Sequence, residues 1–248
     1  MLVACLSDLH SNREAVEACI AQARADGAKR FAFLGDYVGY GADPSWVVQM
    51  TMDYAAEGAI AVKGNHDEAA ADFERERSMN PVAEAAIGWT HRQLSVPMRD
   101  FLRDLPLTIV EDDRLFVHAD ASEPARWRYV INGEDAARSF FATDISTILC
   151  GHVHSPAIYG QTATLKTVSF RPVTDVPVPI PRHRRWLIVL GSVGQPRDGN
   201  AAASYAILDT VRSEITFRRA PYDIDSAARK IRQNGLPDHL ADRLYLAR

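Results

Sequence analysis

The sequence predicts an α/β fold, and two observations point to it. Short apolar runs alternate with helical patterns through the first two-thirds of the chain, as strands joined by helices do. Three of those runs end in clusters of polar residues, and open α/β sheets build their sites at the C-terminal ends of strands.

The elements follow in order. Leu2 to Leu6 is a buried-strand run closed by the turn Ser7-Asp8-Leu9-His10-Ser11-Asn12. Residues 13–26 place Ala15, Val16, Cys19, Ile20 and Ala23 on one helical face, with Gly27 as the C-terminal stop. Phe31 to Leu34 is a second strand, ending at Gly35-Asp36. Asp43 and Pro44 read as the cap and first turn of a helix to about Glu57. Ala59 to Val62 is a third strand, ending at Gly64-Asn65-His66-Asp67. Residues 68–104 are expected to form a helical insert, with Asn80-Pro81 opening one helix and Pro97 near the start of the next. Leu107 to His118 reads as two strands around the turn Glu111-Asp112-Asp113-Arg114. A helix near 133–142 precedes the run Ile148 to Cys150, which ends at Gly151-His152-Val153-His154. Residues 158–220 are strand-rich, and 223–247 form two short helices around Gly235-Leu236-Pro237. With no internal repeat or linker, residues 1–248 are expected to be a single domain.

Composition narrows the function. At 248 residues, 47% hydrophobic and 24% charged, the chain is long enough to bury a sizeable core. A net charge of -4 argues against a general nucleic-acid or membrane partner. The basic cluster Arg182-His183-Arg184-Arg185-Trp186 lacks the interleaved aromatics of a stacking surface and reads as a solvated strand entrance. No run reaches the ~18 apolar residues of a spanning helix. Cys5, Cys19 and Cys150 form no disulfide framework and read as buried residues of a cytoplasmic protein. No signal-type segment is expected ahead of the first strand. His91 and His239 read as surface residues, and no oligomeric state is indicated.

The strand-end residues Asp8, His10, Asp36, Asn65, His66, His118, His152 and His154 include five of the chain's eight histidines, a concentration that suits a metal site. Mixed carboxylate and imidazole ligands favour Mn, Fe, Zn, Co or Ni over Mg or Ca. Asp8 and His10, like His152 and His154, are spaced i, i+2, which in an extended segment puts both side chains on one face. Glycines precede Asp36, Asn65 and His152 and permit tight turns there.

The blocks Asp8-Leu9-His10, Gly35-Asp36, Gly64-Asn65-His66-Asp67, Val117-His118 and Gly151-His152-Val153-His154 resemble the calcineurin-like metallophosphoesterase superfamily, in the family's order. The stretches Gly35 to Gly41 and Gly191 to Gly199 are similar to a bacterial and archaeal subgroup of predicted phosphodiesterases. The resemblance implies a four-layer αββα sandwich of two mixed sheets flanked by helices. It implies two divalent or trivalent transition-metal ions, Mn foremost, with Fe, Zn, Ni or Co as alternatives. Asp8, His10 and His154 would hold one ion, and Asn65, His118 and His152 the other. Asp36 would bridge them, as one carboxylate can for cations ~3.5–4 Å apart. The activity implied is hydrolysis of a small phosphodiester or phosphomonoester by a hydroxide bridging the ions. His66, not itself a ligand, would stabilise the transition state or protonate the leaving oxygen. Asp67 would support the ligands from behind. A small phosphorylated molecule is thus the expected partner. The alternatives are a dinucleoside-polyphosphate hydrolase and a non-catalytic protein-binding scaffold, the latter disfavoured because His66 and all seven ligands are present.

Departures from the family are informative. Its protein Ser/Thr phosphatases carry an Asp three positions after the bridging Asp, paired with the catalytic His. Here that position is Gly39, so protein phosphatase activity is not expected. Ala119-Asp120 follow His118 where many relatives have Gly, making Asp120 a candidate for altering the pocket's charge. Arg197 and Gln195, among glycines in a further strand-end loop, suit phosphate gripping, and the loop reads equally as turn chemistry. Asn12 is a candidate substrate contact but more often such a residue is a helix cap.

Overall fold

The strand β1 (Leu2–Leu6) has no polar face. Val3 and Cys5 enter one apolar layer, Ala4 and Leu6 another, as in a strand covered on both sides. In the computed structural model, which describes residues 1–73 and 81–248, β1 pairs in parallel with β2 (Arg30–Phe33), and β2 with β3 (Ile60–Ala61). On its other side β1 runs antiparallel to β11 (Ala203–Asp209), followed by β12 (Glu214–Ala220) and β9 (Val178–Pro179). The second sheet is built from β4 (Thr108–Glu111), β5 (Arg114–Val117), β6 (Thr147–Cys150), β7 (Ala157–Gln161), β8 (Thr167–Phe170) and β10 (Arg185–Val189), in the order β4-β5-β6-β10-β7-β8. There β5, β6 and β10 run parallel, and the remaining pairings are antiparallel.

Val3, Cys5, Leu34, Phe116, Leu149 and Ile188 fill the layer between the sheets. The outer face of the first sheet is covered by α1 (Arg13–Ala25) and α2 (Pro44–Ala56), with Val16, Cys19 and Val47 against Leu6 and Phe33. The second is covered by α6 (Gly133–Phe141) through Ala136 and Phe140. These are the four layers of the expected sandwich. The insert supplies α3 (Asn65–Ala71), α4 (Pro81–Gln93) and α5 (Val96–Asp104), while Asn80, expected to open α4, lies outside the described residues. At the C-terminal side α7 (Ile224–Gln233) and α8 (Asp238–Leu246) pack together and against Ala86 of α4. All three cysteines are buried and unpaired. Among the described residues no helix is long and apolar enough to cross a membrane.

One boundary differs in a way that matters. Asn65 and His66 were expected in a strand-end loop, yet they form the first turn of α3. The Asp67 carboxylate accepts the Gly64 N–H at 2.8 Å and closes that turn. The parallel strands β1, β2, β3, β5, β6 and β10 thereby bring their C-terminal ends to one place.

Candidate active site

Backbone strain collects where the polar side chains do. Thirteen non-glycine residues among those described have positive φ, and seven of them are Asp8, His10, Ser11, Asp36, Tyr40, His152 and His154. A left-handed residue other than Gly costs roughly 1–2 kcal/mol, so surrounding structure must hold it there. This corrects the expectation of extended segments. Asp8 and His10, and His152 and His154, converge because they are left-handed, not because they share a strand face. Two of the three glycines act by close approach instead of turning: a Cβ on Gly64 would collide with Asp36 Oδ1, and one on Gly151 with Ser7 Oγ.

Four histidines are oriented from outside. His10 Nδ1 donates to the Val38 carbonyl (3.0 Å), His154 Nδ1 to Gln195 (2.6 Å), His118 Nδ1 to Leu34 (2.6 Å) and His152 Nε2 to Trp127 (2.9 Å). A carbonyl only accepts, so each of these nitrogens carries a proton, and the other nitrogen presents a lone pair whenever the ring is neutral. Those lone pairs face one another. His10 Nε2 is 3.0 Å from His154 Nε2, and His118 Nε2 is 3.1 Å from His152 Nδ1. Carboxylates crowd the same space: Asp8 Oδ1 lies 3.2 Å from His154 Nε2, and Asp36 Oδ2 lies 3.3 Å from His118 Nε2 and 3.8 Å from His10 Nε2. Asp8 Oδ1 and Asn65 Oδ1 are buried with no hydrogen-bond partner. Acceptors facing acceptors at this range repel unless a cation lies between them. The donor set therefore fits metal ions, and among the described residues three overlapping groups are compact enough to hold one: Asp8 with His10 and His154, His10 with Asp36 and His66, and Asp36 with His118 and His152. Asp36 thus lies on the border between the groups.

Electrostatics agree. Burial holds His10 and His66 below the usual imidazole value and pushes His152 down to about 3, keeping their rings neutral. Burial opposes ionisation of Asp36 too, but His118 and His66 beside it hold the carboxylate well below its ordinary range. His118 is the exception among the imidazoles: burial disfavours its charge, yet Asp36 lifts it to about 10. A proton on His118 Nε2 stands where a cation would, and the two would compete.

A family model of the calcineurin-like phosphoesterase superfamily domain matches residues 1–213. The chain belongs to this superfamily. It is 35% identical to an uncharacterized protein of Methanocaldococcus jannaschii, over 100% of this chain and 98% of that one. Among solved structures, a metallophosphoesterase from Sphaerobacter thermophilus is 33% identical with a TM-score of 0.90, covering 100% of this chain and 99% of the other. A hypothetical protein from Pyrococcus horikoshii, 18% identical, shares the fold at a TM-score of 0.80, over 100% and 98% of the two chains.

Within this phosphoesterase fold, His66 donates its main-chain N–H to Asp36 Oδ1 at 2.8 Å, and its Nε2 stands 4.0 Å from Asp36 Oδ2. Its Nδ1 is buried without a partner, and Gly39 packs so closely against it that a Cβ there would collide with that nitrogen. Asp67 is fully buried and accepts the N–H groups of Gly64, Asp36 and Tyr37 at 2.8 Å each and Val38 at 3.4 Å. It ties the β2 and β3 loops together. Burial and the neighbouring Asp36 charge push its pKa up to about 7.

Three candidates are placed differently than expected. Asp120 adds no charge to the pocket; it accepts Arg138 Nε at 2.7 Å and the Ser122 N–H at 2.6 Å, anchoring the segment after β5. Asn12 caps α1 through the Ala15 N–H (3.2 Å) and donates to the Gly194 carbonyl (2.8 Å), so its side chain is engaged in structure. Gln195 is buried, with Oε1 accepting Arg197 Nη2 at 3.0 Å. Arg197 does not pair with Asp198, which is held by Arg219, and among the described residues it has no carboxylate partner. Its guanidinium lies 5.8 Å from the Tyr40 ring.

Sequence reasoning passed over three aromatics. Tyr40 stands 4.6 Å from both His10 and His66, ring centre to ring centre. Trp127 lies 6.0 Å from His118, and Tyr129 stacks on His152. Two bulky aromatics in a short loop after the His118 strand were the available signal.

Proposed function

We propose that the chain hydrolyses a small phosphodiester or phosphomonoester at a centre of two transition-metal ions. The observation that carries this is the set of facing lone pairs, His10 against His154 and His118 against His152, in a chain of the phosphoesterase superfamily. Asp8, His10 and His154 would hold one ion, and Asn65, His118 and His152 the other, with Asp36 between. Mn suits this ligand chemistry, as do Fe, Zn, Ni and Co. When bound, the ions supply Lewis acidity and lower the pKa of a coordinated water.

The chain's own residues do the remainder. Backbone carbonyls fix each ring so that its lone pair is set in advance. His66, neutral and backed by no carboxylate, offers an N–H to charge developing on the leaving oxygen. Arg197, without a competing carboxylate, would take non-bridging oxygens through two parallel N–H donors. Residues 1–248 act as one domain, since Lys230 of α7 pairs with Glu14 (2.7 Å) and Asp43 (2.8 Å) beside the site loops. The three separate buried thiols suit a reducing, cytoplasmic compartment.

The test is a panel of aryl phosphodiesters, phosphomonoesters, cyclic nucleotides and dinucleoside polyphosphates, with metal-depleted and Mn-reconstituted protein. Turnover of a simple ester that requires the metal supports the reading. Turnover confined to dinucleoside polyphosphates would move the substrate class. No metal-dependent turnover across the panel sinks it.

A further inference from the structure

The segment between β5 and α6 is pinned at several points. The Asp120 N–H donates to the Arg128 carbonyl at 3.1 Å, Val130 is buried, and Trp127 donates its Nε1 to Glu68 at 3.1 Å while its carbonyl takes His152. Tyr129 lies between the pinned Arg128 and the buried Val130. Its inner face stacks on His152, centroids 4.1 Å apart and planes 14° from parallel, yet the residue is 50% exposed. A large aromatic ring thus stands on a residue of the candidate metal cluster while about half of the residue stays exposed.

We propose that the outer face of Tyr129 is a stacking subsite for the base of a nucleotide whose phosphate occupies the metal-binding cluster. The proposal rests on the phosphoesterase reading above and names its substrate class. A base has a π-face whatever its identity, and a preset aromatic ring binds it with little ordering cost. Spacing favours a nucleotide over an aryl ester. A ligand ring on Tyr129, a further ~4.5 Å out, lies two ring spacings from His152. That span suits a sugar between phosphorus and base better than a ring bonded directly to the ester oxygen. The competing role for Tyr129 is to shield His152 from water, and that role makes no distinction between ligands.

The test is calorimetric binding to the metal-loaded protein of three phosphonates whose ester oxygen is replaced by methylene: those of adenosine 5′-monophosphate, of ribose 5-phosphate, and benzylphosphonate. The adenosine analogue should bind about tenfold tighter than the ribose analogue, the low end of what base stacking contributes. Tyr129→Ala should erase that difference while leaving ribose-analogue affinity and metal content unchanged, and Tyr129→Phe should keep it. Equal wild-type affinity for the adenosine and ribose analogues overturns the subsite. A loss shared by both analogues in Tyr129→Ala overturns it in favour of shielding. A Tyr129-dependent gain for benzylphosphonate alone overturns the nucleotide. Binding needs no turnover, so a protein that hydrolyses nothing would end the hydrolytic reading and leave this result to decide the subsite.

Discussion

Gly39 offers a substitution whose two effects can be separated. Its φ is +89°, and a Cβ built on it would collide with His66 Nδ1 and lie 3.1 Å from His66 Cγ. Gly39→Ala therefore strains the backbone and displaces the His66 ring. Gly58 supplies the control: its φ is +91°, and its Cβ would meet nothing within 4 Å. Both variants carry the left-handed penalty of roughly 1–2 kcal/mol, which at about 2–4 °C per kcal/mol for a chain of this size lowers Tm by roughly 2–8 °C. Only Gly39→Ala moves His66. If His66 acts on the leaving group, Gly39→Ala should lose roughly 10²–10⁴ in kcat, the usual weight of one acid or charge stabiliser, with metal content intact. Gly58→Ala should keep wild-type kcat. Steady-state kinetics on a phosphodiester with a poor, alkyl leaving group, thermal melts and elemental analysis read all three quantities. Equal kcat in the two variants would refute the role given to His66, because the collision would then have no catalytic consequence.

Other outcomes follow from neighbouring residues. His66→Ala should retain its metal but lose turnover, and the loss should shrink for good leaving groups such as nitrophenol; an equal loss across leaving groups would point to charge stabilisation instead of proton donation. Asp67→Asn turns an amide N–H₂ toward backbone donors that now share two oxygens, so at least one buried N–H loses its partner. That costs about 1–3 kcal/mol, readable as a lower urea midpoint; an unchanged midpoint would show that the loops do not depend on this tie. Arg197→Lys should leave metal content and Tm alone while kcat/KM falls at least tenfold, since an ammonium cannot reproduce the two-pronged grip. Near-wild-type kinetics in both Arg197→Lys and Arg197→Ala would reduce the loop to architecture.

Much of this site was legible in the sequence because strand and site share a signal. An apolar run such as Leu2 to Leu6 that stops at Asp8 shows both where the strand ends and what its end presents. What escaped has a common physical cause. The left-handed conformations of Asp8, His10, His152 and His154 are imposed by tertiary packing on residues that would not choose them, so no local pattern announces them. Asn65 moved from loop to helix because a side chain, Asp67, closes the turn. Asp120 was read as charge in the pocket because its partner Arg138 lies eighteen positions away. Tyr129 on His152 is likewise a long-range stack, visible only once β5 and β6 are side by side.

The central claim is that the facing lone pairs are a site for two ions on which hydrolysis depends. Elemental analysis of Mn-reconstituted protein, with turnover measured on the same samples, tests it most directly, and Asp36→Asn is the variant to set beside wild type. Wild type should hold about two ions per chain, with turnover abolished by chelation and restored by metal, while Asp36→Asn holds fewer than one and is inactive. Full metal content and activity in Asp36→Asn, or turnover by metal-free wild type, would contradict it.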